Sequence, residues 1–319
     1  MVSVGPREGT IINVLVTGGA GFIGSHIVDR LLALDHTVTV VDNFSTGRSE
    51  HLDSRAHVHR VDLRDQRLAD VFRAERPEVV CHQAAQANLR RSVADPVFDA
   101  QVNILGSLHL FECCRRFEVE RIVFASSGGA IYGDTAVLPT PEDHLPRPAS
   151  PYGIAKLAVE HYLACWQSLH GGTAISLRYA NVYGPRQDPY GEAGVVAIFA
   201  SRMLDRIQPV INGDGEQTRD FVYVADVAEA VLRALERPEV TGALNIGTGI
   251  ETSINDLFCS VRELTGGEVE KLHGPSKPGE QRRSVLDVAW AKRHLGWSPQ
   301  VSLQEGLTLT VKSFRRSIS

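Results

Sequence analysis

The chain has 319 residues, 43% of them hydrophobic and 22% charged, with a formal net charge of −5 at pH 7. That length allows one extended domain or two with sizeable cores. The acidic balance offers no basic field to nucleic acid, and no apolar run approaches the length that crosses a membrane, so neither kind of partner is expected. Residues 1–10 lack the apolar core of a signal peptide and read as a loose extension, which makes the cytosol the expected location.

Asn13 to His26 reads N-V-L-V-T-G-G-A-G-F-I-G-S-H. Val14, Leu15, Val16 and Thr17 run into glycines at 18, 19, 21 and 24, and Phe22, Ile23, Ile27, Leu31 and Leu32 then recur at helical spacing. A buried strand, a tight turn and a helix are predicted in that order. Within this G-x-x-G-x-x-G spacing, Gly18 and Gly21 let the backbone approach a ligand, and Gly24 lets the helix pack close to the strand. The helix start, with Phe22 and Ile23, presents unpaired N–H groups and a positive dipole end to a pyrophosphate. Strand Thr37–Val41 ends in Asp42, 18 residues beyond Gly24, where a carboxylate can accept hydrogen bonds from an adenosine ribose. The same charge repels a 2′-phosphate and favours NAD over NADP, a preference that the nearby Arg48 tempers.

A polar turn follows (Asn43, Ser45, Thr46, Gly47), then a strand near His57–Val61 closing on Asp62-Leu63, and a short helix ending before Pro77. His57 and His59 share a strand face, but no carboxylate joins them in sequence, so no metal site is expected. Val79–His82 is a buried strand leading to Gln83, Ala84, Ala85 and Gln86, where small residues let the backbone pass close to a ligand. A helical segment from roughly 95 to 117 carries Asn103 on an otherwise apolar face. Strand Ile122–Ala125 delivers Ser126 and Ser127 at its carboxyl end. The five cysteines (81, 113, 114, 165, 259) form no C-x-x-C pair and read as reduced, buried thiols. This alternation predicts an α/β fold with a Rossmann-type, doubly wound parallel sheet and one crevice shared by Gly18–Gly24, Asp42, Ala84, Ser126 and Ser127.

After a loop rich in proline and acids (133–147), Ser150-Pro151 starts a helix, a good N-cap followed by a residue suited to the first position. Tyr152 and Lys156 then stand one turn apart on one face. A free tyrosine, with a pKa of about 10, is a poor base at neutral pH. An ammonium one turn away and a cationic nicotinamide would lower that value, so that Tyr152 takes a proton from an alcohol as hydride leaves the same carbon. Ser127, or its neighbour Ser126, would steady the oxygen as it becomes a carbonyl.

Beyond Tyr183-Gly184-Pro185 the expected pieces are a loop and helix over 191–206, a short strand at Pro209–Asn212 and another at Arg219–Val224. A helix Val227–Leu235 capped by Asp226, a strand at Ala243–Ile246, and helices near 253–265, 287–295 and 303–316 complete the chain. A nucleotide-binding region over 11–185, with 219–248 returning to it, and a smaller α/β lobe from 186–218 and 249–319 are expected.

T-G-G-A-G-F-I-G at 17–24, S-S-G-G-A-I-Y-G at 126–133, Y-G-I-A-K at 152–156 and L-R-Y-A-N-V-Y-G-P at 177–185 resemble the extended short-chain dehydrogenase/reductase family. Within it the chain is most similar to the bacterial UDP-glucose 4-epimerases, and the likeness runs from residue 11 nearly to the end. The resemblance implies a homodimer, built through helices around 95–117 and 151–170, that epimerises a UDP-hexose at C4 through a transient 4-keto sugar on bound NAD. It implies Tyr152 as base, Lys156 bridging to the nicotinamide ribose, Ser127 on the sugar oxygen, and Asp42, Asp62-Leu63 and Tyr179 on NAD. Asn181, Val195 and Arg219 would face the nucleotide-sugar, and Lys277 and Glu280 would stand where the family has an arginine-bearing R-P-G-D/E stretch. One local departure bears on the serine: counting from Phe124 selects Ser127, whereas counting back from Tyr132 lands on Gly128. The strand count is preferred because the strand fixes side-chain direction. Ser284, small where some relatives are bulky, leaves room for N-acetylhexosamines. A 4,6-dehydratase would need an acid pair where Gly128-Gly129 stands. A UDP-glucuronate 4-epimerase would place Arg186 or Gln187 on a carboxylate, and a non-catalytic NAD sensor would leave Tyr152 without a task.

Overall fold

The computed structural model describes residues 11–190, 194–276 and 281–318, the side chains of 316–318 excepted. Among the described residues, seven parallel strands form one sheet. They are β1 (Asn13–Thr17), β2 (Thr37–Asp42), β3 (His57–Arg60), β4 (Val79–His82), β5 (Arg121–Ser127), β6 (Thr173–Tyr179) and β10 (Gly242–Ile246), arranged in the order β10-β6-β5-β4-β1-β2-β3. A smaller sheet joins β7 (Asn181–Tyr183), β9 (Thr218–Tyr223), β11 (Glu251–Ser253) and β13 (Arg283–Ser284), and β8 (Val210–Asn212) pairs with β12 (Leu272–Gly274). The chain crosses over between β1 and β4, so the carboxyl ends of these two strands open a crevice at the point where the winding reverses.

The strands are apolar along their length because both faces of the sheet are covered. Val14, Val16, Val38, Val40, Val123 and Ala125 face one core, which they share with residues of α1 (Phe22–Ala33), α9 (Val224–Glu236) and α11 (Ala289–Leu295). Leu15, Val80, Ile122 and Phe124 face the other, shared with α2 (Leu68–Glu75), α5 (Gly106–Arg116) and α7 (Pro151–His170). The short α3 (Leu89–Ala94) precedes α4 (Pro96–Ala100), which runs through a π-helical turn at 101–105 into α5, so the helical segment expected over 95–117 is continuous but contains that turn. A third core lies under α8 (Val195–Leu204), α10 (Ile254–Thr265) and α12 (Leu303–Ile318) in the smaller lobe.

Four expectations are corrected. The helix expected from Val227 begins at Val224, and Asp226 does not cap it: its carboxylate accepts the backbone N–H groups of Gln300 and Val301. Strands β7 and β9 belong to the smaller sheet, so the segment returning to the large sheet starts at α9, not at Arg219. Cys165 is exposed on α7, unlike the buried Cys81, Cys113 and Cys114. Glu75 of α2 reaches both strand histidines, His57 Nδ1 at 2.9 Å and His59 Nε2 at 2.8 Å, so a carboxylate joins them from a neighbouring element.

Candidate functional site

The first βα turn has little freedom. Gly18 lies at φ +67°, and a Cβ there would stand 2.7 Å from the Ala84 nitrogen, while a Cβ on Gly24 would meet the Gly18 carbonyl oxygen. β1, the turn and the strand end carrying Ala84 are therefore pressed together, as a cradle for a flat, extended ligand requires. α1 starts at Gly21 with no side-chain cap and no acid in its first turn, so its leading N–H groups point outward unclaimed by a cap.

Asp42 is buried beside this turn. Its Oδ2 accepts the Ala20 N–H at 3.0 Å and its Oδ1 the Phe44 N–H at 2.8 Å. Each carboxylate oxygen keeps a lone pair for a ribose hydroxyl. Gly47 packs against the same carboxylate, Ser45 and Thr46 are exposed at the rim, and a depression beyond is lined by Phe44, Gly47, Arg48, Ser49, Glu50 and Arg60. Across the crevice, Tyr179 donates to Gln83 Oε1 at 3.4 Å, and the buried Gln83 Nε2 has no protein partner among the described residues. An amide donor left open at the end of β4, the uncapped helix and the glycine cradle fit a dinucleotide.

Several residues expected in the crevice instead hold its walls. Asn43 bridges Asp62 and the Ser45 N–H. Asp62 also takes a fork from Arg64, which holds its carboxyl well below the usual range. The Leu63 side chain is buried in the core under α5, and its carbonyl accepts from His109. Asn103 spends its amide on the Gln86 backbone and on Asp99, and Gln86 donates to Asp99 at 2.9 Å. These are contacts that one-dimensional spacing cannot reveal. Ala85 is half-buried between Ala84 and Gln86, with its side chain free of polar contacts.

The end of β5 separates the two serines by parity. Ser126 has the direction of Ile122 and Phe124, and its hydroxyl donates to Glu160 Oε1 at 2.6 Å. Glu160 is also forked by Arg178 at 3.0 and 2.7 Å. Ser127 faces the other way, on the side of the Tyr152 phenol, whose ionised form its hydroxyl favours. Gly128 has no room for a side chain, because a Cβ would lie 2.5 Å from Leu286 Cδ1. A Cβ on Gly129 would meet only Asn181 Oδ1, at 3.9 Å, which puts Asn181 beside the serine turn.

Ser150 caps α7 by accepting the Gly153 N–H at 3.1 Å, and so sets Tyr152 and Lys156 over the strand ends. Lys156 is buried, donates to the Ala125 carbonyl at 2.7 Å, and lies 4.7 Å from the Phe124 ring centre and 5.7 Å from that of Tyr152. The ammonium therefore addresses the face of the ring rather than the phenol oxygen. Burial pushes Tyr152 up to about 12 and Lys156 down to about 8. The expected lowering of the tyrosine by the lysine is not what the protein's own groups produce: desolvation outweighs it.

On the substrate side, Val195 opens α8, and Arg219 sits on β9 between Thr252 and Ser284. Arg186 donates from Nη2 to Asp29 of α1 at 2.7 Å and Gln187 donates to the Val182 carbonyl, while Arg186 Nη1 and Gln187 Oε1 are buried with no partner among the described residues. Lys277 and Glu280 lie outside the described residues. Spacing gave no signal for Asp99, Glu160 or Arg178; only their burial in the fold marks them.

Residues 14–247 match the model of the NAD dependent epimerase/dehydratase family. A putative UDP-glucose 4-epimerase of Methanocaldococcus jannaschii is 46% identical over 93% of this chain and 97% of its own. The UDP-glucose 4-epimerase of Thermotoga maritima, solved with UDP-glucose, superposes with a TM-score of 0.95 at 50% identity, covering 97% of this chain and 100% of that one. That of Thermus thermophilus, solved with NAD, superposes at 0.91 with 49% identity, covering 95% and 98%. With its glycine cradle, its Tyr-Lys pair and a matched region spanning most of its length, the chain belongs to the NAD dependent epimerase/dehydratase family.

Proposed function

We propose that the protein is an NAD-dependent UDP-glucose 4-epimerase, interconverting UDP-glucose and UDP-galactose through a transient 4-keto sugar. The observation that carries this reading is Ser127 at the carboxyl end of β5 on the side of the Tyr152 phenol, with Lys156 buried one turn along α7 and donating to the Ala125 carbonyl, beside the dinucleotide cradle. NAD, when bound, supplies the hydride acceptor and a positive charge that favours the Tyr152 phenolate. Tyr152 removes the proton from O4 and later returns it, while Ser127 holds that oxygen through its passage to a carbonyl. Lys156 keeps a positive charge under the tyrosine ring. The Asp42 carboxylate takes the adenosine ribose, and the N–H groups of Phe22 and Ile23 take the pyrophosphate. Tyr179 and Gln83 line the crevice, and Asn181, Val195 and Arg219 face the nucleotide-sugar. The cofactor region comprises 11–180, α9, β10 and α11, and the remaining elements form the substrate lobe.

One observation weighs against a rival chemistry: Leu286 crowds Gly128, where half of a dehydratase acid pair would stand. Proton NMR of UDP-glucose, UDP-N-acetylglucosamine and UDP-glucuronate, each incubated with purified protein, tests the assignment. A C4 epimer of UDP-glucose is expected; no change in that tube, even with added NAD, overturns the reading.

The protein is also read as a cytoplasmic homodimer. Val93, Val97, Ile154, Tyr162 and Leu169 are exposed apolar residues on α3, α4 and α7, neighbouring helices on one side of the large sheet. The free thiols suit a reducing compartment. Sedimentation velocity should give a dimer that Val97→Asp with Ile154→Asp converts to monomer; a monomeric wild type would refute the interface.

A further inference from the structure

Asp99, near the end of α4, is 1% exposed, and among the described residues no lysine or arginine pairs with it. Its Oδ1 accepts from Gln86 Nε2 at 2.9 Å and Asn103 Nδ2 at 3.0 Å. Both are neutral amides, so the negative charge is solvated but not cancelled. α4 and the π-helical turn pack directly on α7, the helix that carries Tyr152 and Lys156. A bare carboxylate buried at this junction is expensive unless a positive charge lies within its field. Lys156, equally buried and, among the described residues, equally without a salt-bridge partner, is the cation available.

The other charged groups around α7 do not take its place. Glu160, on α7 itself, is forked by Arg178 of β6 and also acts on Lys156, but less than Asp99 does. His82 is buried between Thr17 and Ser107, and burial pushes it down to about 3, which leaves it neutral. On α3, Arg91 is exposed and stacks on Phe98, and Arg90 is exposed too. On α5, Glu112 and Arg115 pair with each other and His109 donates to Leu63. Asp95 is exposed and caps α4, and Arg121 lies at the far end of β5, while α6 (Gly128–Ile131) carries no charge.

We propose that Asp99 is a positioning residue of the reaction centre, the buried counter-charge that keeps Lys156 an ammonium and sets the pH window in which the Tyr152–Lys156 pair works. The inference rests on the epimerase reading for its kinetic form, and for its electrostatic form on the burial of both groups and the packing of α4 on α7. Among the groups acting on Lys156, Asp99 is the largest influence opposing burial, and it also raises Tyr152. The sign follows. Removing the charge lowers both groups, so the acid limb of activity (loss of the phenolate) and the alkaline limb (loss of the ammonium) both move to lower pH.

The test compares wild type, Asp99→Asn, Asp99→Glu and Asn103→Ala, each as NAD-loaded holoenzyme, by pH profiles of kcat and kcat/KM. An ultraviolet difference titration of the phenolate, with Tyr152→Phe as blank, runs in parallel and needs no turnover. Asp99→Asn should shift both limbs, and the phenolate titration, downward by about one pH unit, the scale expected of one charge several ångströms away in a protein interior. Asp99→Glu should restore the wild-type limbs at whatever rate. Asn103→Ala, which cuts the network but keeps the charge, should leave them in place. Limbs that stay put in Asp99→Asn, or move in opposite directions, overturn the proposal. If Asp99→Asn fails to fold, Asp99→Ser repeats the measurement; failure of both while Asp99→Glu folds also counts against it, since the carboxylate would then serve the fold. A wild type inactive on every UDP-sugar would sink the epimerase reading alone, and the phenolate titration would still decide the role of Asp99.

Discussion

At the scale of single residues, the two adjacent serines divide the labour of the β5 end. Ser127→Ala removes the hydroxyl on the side of the Tyr152 phenol, and kcat should fall by about 10²–10³-fold, as for loss of a donor to a developing oxyanion. Ser126→Ala should keep kcat within a few-fold and lower the melting temperature instead, because Glu160 loses a 2.6 Å donor in a buried network. Steady-state kinetics and thermal unfolding of the pair separate the roles; equal losses of kcat would contradict the division. Tyr152, Lys156 and both serines were legible from their motifs. The strand count that preferred Ser127 agrees with the parity of the folded sheet, which turns Ser126 to Glu160 and Ser127 the other way. Asp99, Glu160 and Arg178 were not legible, since a buried carboxylate and a surface one read alike in a helical pattern.

At the scale of elements, α7 carries the tyrosine, and its first turn decides where that tyrosine stands. Ser150 and Pro151 make the helix start unambiguous in sequence, and the Ser150 side chain meets the Gly153 N–H as expected. Ser150→Ala should cost about 1 kcal/mol of stability, measurable by urea unfolding. It should lower kcat more than it raises KM, because a loosened first turn displaces Tyr152 without touching the nucleotide sites. An unchanged urea midpoint would mean that the cap is dispensable. The helix expected over 95–117 shows the converse. Its extent was right, but the π-helical turn inside it at 101–105 lies where Asn103 turns to Gln86 and Asp99, tertiary contacts that periodicity does not encode.

At the scale of the molecule, two buried charged residues stitch distant segments together. Arg121, on β5, donates from Nε to the Ala234 carbonyl at 2.8 Å, and its Nη atoms reach the carbonyls of Arg237, Pro238 and Val240. It thereby locks the connection between α9 and β10 onto a strand more than a hundred residues earlier in the chain, and burial pushes it down to about 10. Arg121→Met leaves those carbonyls without donors and should destabilise the protein by roughly 3–5 kcal/mol. Arg121→Lys should recover only part of this, because an ammonium cannot reproduce the planar fork. Chemical denaturation of both variants checks the order; a lysine variant as stable as wild type would refute it. Asp220 acts likewise in the smaller lobe, accepting from Thr248, Gly249 and Leu286.

The sequence by itself determined the large parallel sheet, the dinucleotide cradle and the tyrosine helix. Each depends on short-range chemistry: glycines where a Cβ has no room, apolar runs buried on both faces, and a serine–proline helix start. The tertiary structure alone decided the rest. It drew β7 and β9 into the second sheet, turned Asn103 and Asn43 into wall braces, and set Glu75 against His57 and His59. It also set Lys156 against a ring face rather than a phenol oxygen. The physical reason is common to all of these: polar side chains take their partners from whichever segments packing brings near, and a linear pattern of residue types does not contain those distances.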